Sequence, residues 1–170
     1  KGVNVKLKDY QNGPLENWTT GALHFNGRDQ YAVLTNEVIN RTVTMGGDKI
    51  NENRTVRGSD LKNPQIYTSN FLIEAYFKTV FKTVPGQKDA TRIQKMEDAG
   101  YALRVNETGG VTLAAQTSAG QATLASHSLV NDGQWHHIIA EADRKTGIFT
   151  IYIDGKQDAV GPGLGADVSL

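Results

Sequence analysis

The sequence predicts an all-β chain folded as a two-sheet antiparallel sandwich of the jelly-roll type, and three observations lead there. Short apolar or β-branched runs recur along the chain, with regular spacing after residue 100. Turn signals such as Asn26-Gly27, Asn131-Asp132-Gly133 and Asp154-Gly155 separate them. No stretch carries a long helical period, and there is no internal repeat and no low-complexity linker. Evenly spaced strands and turns without helices suit a sandwich or jelly roll.

The bulk composition agrees and excludes several functions. The chain has 170 residues, enough for a single domain over 1–170. A chain of this size buries about 70% of the surface its unfolded form exposes. It needs no disulfide or metal for a core, and it contains no cysteine. Lys plus Arg number 18 and Asp plus Glu number 18, so the formal charge is zero. That balance lacks the basic field of a nucleic-acid binder. No run approaches the roughly 18 apolar residues of a membrane span. Lys1-Gly2-Val3-Asn4 carries no signal-peptide core, which leaves a removed signal, a longer parent protein or no signal all open.

Element by element, Val3, Val5 and Leu7 alternate with polar residues and predict a half-buried strand. Gln11-Asn12-Gly13-Pro14 breaks it. Ala22 to Phe25 and Gln30 to Leu34 predict two more strands around the Asn26-Gly27 turn. Residues 36–69 are polar and irregular, with short strands expected at Thr42-Val43-Thr44 and Thr55-Val56. A loop of that length is often functional. Phe71, Ile73, Ala75 and Phe77 predict the buried face of a strand, with Leu72, Glu74, Tyr76 and Lys78 on a mixed outer face. Residues 86–99 are charged, and Ala90 to Glu97 predicts one or two helical turns. Strands are then expected at Tyr101–Val105, Val111–Gln116, Ala122–His127, Trp135–Ala142 and Ile148–Ile153. Asp154-Gly155 predicts a two-residue hairpin, whose turn needs positive φ at both positions. Gly161-Pro162-Gly163-Leu164-Gly165 reads as a flexible connection.

Three segments carry a family resemblance. Ala22-Leu23-His24-Phe25-Asn26-Gly27-Arg28-Asp29-Gln30-Tyr31-Ala32-Val33 is one, and Asn70 to Lys78 is another. The third is Asn131-Asp132-Gly133-Gln134-Trp135-His136-His137-Ile138-Ile139-Ala140, followed by Ile151-Tyr152-Ile153-Asp154-Gly155-Lys156. Together, from about Ala22 to Lys156, they resemble the laminin-G-like branch of the concanavalin-A-like lectins. The resemblance implies one convex and one concave sheet, and modules that bind glycans, proteins or Ca²⁺-dependent partners. Such relatives close with a further strand bearing an acidic residue and an aliphatic run. Here the sequence ends at Ala166-Asp167-Val168-Ser169-Leu170. The expectation is that the closing strand is lacking, and that a partner chain or a longer protein supplies it. An uncovered edge would otherwise promote aggregation.

Catalytic readings find little support. Glycosidases need two carboxylates flanking the scissile bond, about 5–10 Å apart. Laminarinase-like relatives place them on one strand as Glu-x-Asp-x-x-Glu, and no such string occurs. Glu52, Glu74, Glu97 and Glu107 lie on separate segments. There is no Gly-x-Ser-x-Gly elbow, and Gly58-Ser59-Asp60 lacks a strand-to-helix context. His136 and His137 invite a metal reading, but strand neighbours face opposite ways. A packed Trp135 with imidazoles bonding backbone carbonyls is the favoured reading of that triplet.

A lectin-type binding function is what the resemblance implies. Glycan recognition needs an aromatic platform ringed by polar groups. Glu74 and Tyr76 on one strand, Arg104 on an expected neighbouring strand, and Trp18 in the N-terminal loop are the candidates. Each has a plain alternative as an ordinary surface residue, or as core for Trp18. Asn26, Gly27 and Asp29 could furnish oxygens for a structural Ca²⁺, as the resemblance implies, with a plain hairpin as the alternative. Asn-x-Ser/Thr sequons at Asn17, Asn40, Asn53 and Asn106 would be glycan acceptors in a eukaryotic secretory protein and chance occurrences in a bacterial one. The sequence therefore points to a non-catalytic module recognising a glycan on an exported or cell-surface protein, in an extracellular, periplasmic or cell-surface setting. The alternatives are a structural or protein-interaction domain of a larger assembly and, less favoured, a polysaccharide hydrolase or lyase.

Overall fold

A computed structural model of the chain describes residues 2–15, 21–26, 29–32, 43–45, 48–50, 66–80, 89–96, 98–167 and 169–170. The chain forms two compact units, Lys1–Gln65 and Ile66–Leu170.

The first unit contains short antiparallel pairs. β1 (Gly2–Val3) pairs with β4 (Tyr31–Ala32), β2 (Tyr10–Gln11) with β3 (Ala22–Leu23), and β5 (Val43–Met45) with β6 (Asp48–Ile50). β5 overlaps the strand expected at residues 42–44, and Thr55-Val56 lies outside the described residues. The alternating run Val3–Leu7 is not one strand. Asn4 has φ of 55°, which ends β1, and Leu7–Asp9 forms a 3₁₀ turn. The Asp9 carboxylate closes that turn by accepting the Lys6 N–H at 2.8 Å, and it also accepts from Gln30 Nε2 at 2.8 Å. Leu7 is consequently 88% exposed.

The second unit is a sandwich of two four-stranded antiparallel sheets. One has the order β14-β13-β12-β7, from Lys156–Pro162, Ile148–Ile153, Trp135–Asp143 and Phe71–Lys78. The other has the order β11-β10-β9-β8, from Gly120–Leu129, Gly110–Thr117, Gly100–Asn106 and Asp89–Met96. Alternation decides what each strand buries. Ile73, Ile138, Ala140, Ala142, Phe149 and Ile151 turn inward from the first sheet. Leu103, Val105, Val111, Leu113 and Ala115 meet them from the second.

Two expectations are corrected in this unit. Asp89–Met96 is a strand and not a helical turn, because it pairs along β9. Hydrogen bonding to a neighbouring strand outweighs weak local helix preference. A bulge between Thr91 and Ile93 absorbs the register irregularity. Gly161-Pro162 is also no mere connection, since it completes β14. Pro162 is tolerated there because β14 lies at a sheet edge.

Two polar devices hold the sandwich ends. Asp158 on β14 accepts the His127 N–H at 2.6 Å and the Ser128 N–H at 3.2 Å, which ties the edge of one sheet to β11 of the other. Burial would raise the Asp158 pKa, but these bonds lower it on balance. The fully buried Arg144 donates Nε and Nη2 to the Gly165 carbonyl, at 2.9 and 2.6 Å, and Nη1 to that of Tyr67. Burial lowers its pKa, with Asp167 acting in the opposite sense. Leu170 N–H donates to the Tyr67 carbonyl at 2.9 Å, so the last residues lie against the start of this unit. Among the described residues, no helix is long and apolar enough to cross a membrane.

Candidate functional site

The outer face of the β14-β13-β12-β7 sheet concentrates aromatic and ionisable side chains. Register explains why. His137 lies opposite Tyr76, Ile139 opposite Glu74, and Trp135 opposite Lys78. Directly opposed residues share a sheet face. Since Ile73 and Ile138 point to the core, Glu74, Tyr76 and His137 must point away from it. The Tyr76 and His137 rings stack, with centroids 4.3 Å apart and planes at 12°. His137 Nε2 lies 2.8 Å from Glu74 Oε1. A carboxylate only accepts, so the imidazole donates there and presents its Nε2–H form. The Glu74 side chain stays 55% exposed and Tyr76 37% exposed. The result is a stacked pair whose polar flank is fixed but open.

His136, one residue earlier, faces the other way and does something different. Its Nδ1 lies 2.8 Å from Asp154 Oδ2 and its Nε2 3.0 Å from Asp132 Oδ1, with the imidazole only 12% exposed. Two acceptor-only partners require both ring nitrogens to carry protons. Burial of the ring opposes that charge, but the bonds to Asp154 and Asp132 and their negative charge outweigh it, so the His136 pKa is raised. The Gln134 backbone N–H and then His136 lower the Asp132 pKa. Burial would raise the Asp154 pKa, but the His137 N–H and the His136 ring lower it.

Asp154 is placed by its turn. It has φ of 53° and Gly155 has φ of 78°, as the hairpin signal requires. The other Asp154 oxygen accepts the His137 N–H at 2.9 Å. One carboxylate thus touches both the His136 ring and the backbone that carries the stacked ring. Both imidazoles bond carboxylates, which corrects the expectation that they bond backbone carbonyls. The signal that could have found this was Asn131-Asp132-Gly133 before β12 and Asp154-Gly155 after β13, which antiparallel pairing brings to the same end of one hairpin.

The expected site residues separate. Glu74 and Tyr76 come together, joined by His137, for which the sequence pattern predicts only a structural role. Arg104 does not join them, and this corrects its placement. β9 pairs with β8 and β10 and not with β7, so Arg104 lies on the outer face of the opposite sheet. Its Nη2 contacts Met96 Sδ at 3.8 Å. Trp18 and Gly27 lie outside the described residues. Asn26 and Asp29 form a closed polar turn. Asn26 Nδ2 donates to Asp29 Oδ1 at 2.7 Å, and the Asp29 N–H donates back to Asn26 Oδ1 at 3.2 Å. Asn4 Nδ2 holds the second Asp29 oxygen at 3.0 Å. Both carboxylate oxygens therefore already have amide donors. Among the described residues, no group of three or more His, Cys, Asp or Glu is arranged to hold a metal ion. At the one described sequon, Asn106 Oδ1 accepts from Thr108 N and Oγ1 and from Gly110 N.

A family model described as the concanavalin A-like lectin/glucanases superfamily, in its laminin-G branch, matches residues 53–169. The chain belongs to this family. The match includes the whole two-sheet unit with its Tyr76–His137 face. Domains LG4-5 of the mouse laminin alpha1 chain share this laminin-G-like fold at 14% identity and a TM-score of 0.50, over 65% of this chain and 28% of theirs. A Bacteroides ovatus protein provisionally described as carbohydrate-binding is similar at 19% identity and a TM-score of 0.46, over 61% of this chain and 28% of its own. The laminin-G-like chain thus aligns with less than a third of either protein. No curated protein matches it.

Proposed function

We propose that this laminin-G-like domain is a non-catalytic, lectin-type module that binds a glycan on the outer face of the β14-β13-β12-β7 sheet. The observation that carries the reading is the Tyr76–His137 stack, flanked by the exposed Glu74 carboxylate. A flat π surface takes the C–H face of a sugar ring, and a carboxylate accepts hydrogen bonds from its hydroxyls. The pair is ordered before ligand arrives, so little conformational freedom is lost on binding. An exported or cell-surface protein is the setting that suits such a module.

The test is a glycan array on the purified chain, followed by calorimetry with the strongest binder. Tyr76→Ala is expected to weaken binding about tenfold or more, as loss of a central aromatic contact does. Arg104→Ala should leave it unchanged. An array with no binder, or wild-type affinity in Tyr76→Ala, rejects the reading.

A second reading is a structural or protein-interaction domain, with a partner chain supplying a strand. Exposed Leu72, Ile148 and Val160 on the same sheet face favour it. Light scattering distinguishes the two, because this reading requires a concentration-dependent oligomer or a co-purifying chain. Calcium at Asn26 and Asp29 is a separate proposal. It would require the Asn26 amide to release Asp29, and melting with added Ca²⁺ against chelator tests it.

A further inference from the structure

We infer that the site extends across the sheet, with Tyr152 as a second sugar-stacking position, so that the ligand is an oligosaccharide rather than one terminal sugar. The inference rests on the glycan reading above and adds the size of the ligand to it.

Register places Tyr152. It lies opposite Ile139 on β12, and Ile139 lies opposite Glu74 on β7. All three therefore share the outer face. Ile151 and Ile153, on either side of Tyr152, are buried in the core, which fixes its outward direction. Neighbouring strands are about 4.8 Å apart and residues two apart on a strand about 7 Å, so Tyr152 lies roughly 12 Å diagonally from Tyr76. That separation exceeds a single pyranose ring.

The ground between suits a chain of sugars. Ile139 is half-buried and offers an apolar floor. Glu74 on one flank and Gln157, opposite Tyr152 and exposed, on the other supply hydrogen-bonding groups. Alternating apolar floor and polar flank is the pattern a sugar chain needs, with its apolar ring faces and polar edges. A free single sugar would use only the Tyr76–His137 end.

The experiment is a length ladder, disaccharide to hexasaccharide, of the array's strongest binder. Tyr152→Ala should weaken hexasaccharide binding about tenfold and leave the disaccharide unchanged, whereas Tyr76→Ala weakens both. Wild-type titration followed by ring NMR signals gives an independent reading that needs no variant. The disaccharide should shift Tyr76 alone, and the hexasaccharide both Tyr76 and Tyr152. Equal loss at both lengths in Tyr152→Ala, no loss at either, or a Tyr152 signal that never moves overturns the second position while leaving the first standing. An array without any binder removes both together.

Discussion

The two sheets of the sandwich have nearly interchangeable inner faces and very different outer ones. Inward, both present apolar side chains, mostly aliphatic. On the side turned away from the core, the β11-β10-β9-β8 sheet carries small or uncharged residues along its middle strands, Thr112, Gln116 and the buried Ala102 and Ala114, with Arg104 against Met96. The β14-β13-β12-β7 sheet carries Tyr76, His137, Glu74 and Tyr152. Packing demands the inner sets, since each buried side chain must fill space beside its neighbours. Nothing in packing demands stacked rings on an open face. The difference teaches where function can be sought in such a fold, on the face whose chemistry the core does not require.

Breaking the inner half of the comparison should have the largest effect. Phe149→Ala empties a fully buried position and is expected to cost about 3–5 kcal/mol in denaturant unfolding. Next is the turn that serves both faces. Asp154→Ala removes one of the two acceptors of the His136 ring and the acceptor of the His137 N–H, at a cost of about 1 kcal/mol, because the carboxylate is half exposed and solvent screens it.

The clamp itself has a pH signature. The His136 pKa is raised on folding, so its contribution is full below the unfolded histidine value and fades as pH rises through the raised folded value. The Asp132 and Asp154 pKa values are lowered, so theirs are full above the unfolded carboxylate value and fade as pH falls through the lowered ones. The clamp should stabilise most between these limits. The difference in melting temperature between wild type and His136→Gln, followed against pH, should be widest in mildly acidic to neutral solution and narrow on both sides. A flat difference would mean that the ring is not held charged. The smallest effect sharpens the contrast. Leu72→Ala, on the open face, should change unfolding stability by no more than about 0.5 kcal/mol.

Much of this was legible beforehand because alternation is a local property. Glu74 and Tyr76 were placed on an outer face by Phe71, Ile73, Ala75 and Phe77 alone. The hairpin at Asp154-Gly155 followed from its turn chemistry. Arg104 was misplaced because strand order is not local. A strand's own residues say which side faces inward, but not which strands it will pair with. Ala90 to Glu97 misled for the same reason, since its strand exists through the pairing with β9. The Val3–Leu7 run failed for a local reason, a positive φ at Asn4 that the alternation did not reveal.

The sequence by itself determined the all-β class, most strand positions in the second unit, the turns and the neutral, cysteine-free character of the chain. These depend on side-chain period and turn preference, which act over a few residues. Only the tertiary structure decided that His137 stacks on Tyr76 and bonds Glu74, that His136 is gripped by two carboxylates, and that Arg104 sits on the far sheet. Apart from the His136–Asp132 contact, four residues apart, each relates residues distant in the chain, and sheet pairing brings them together or keeps them apart.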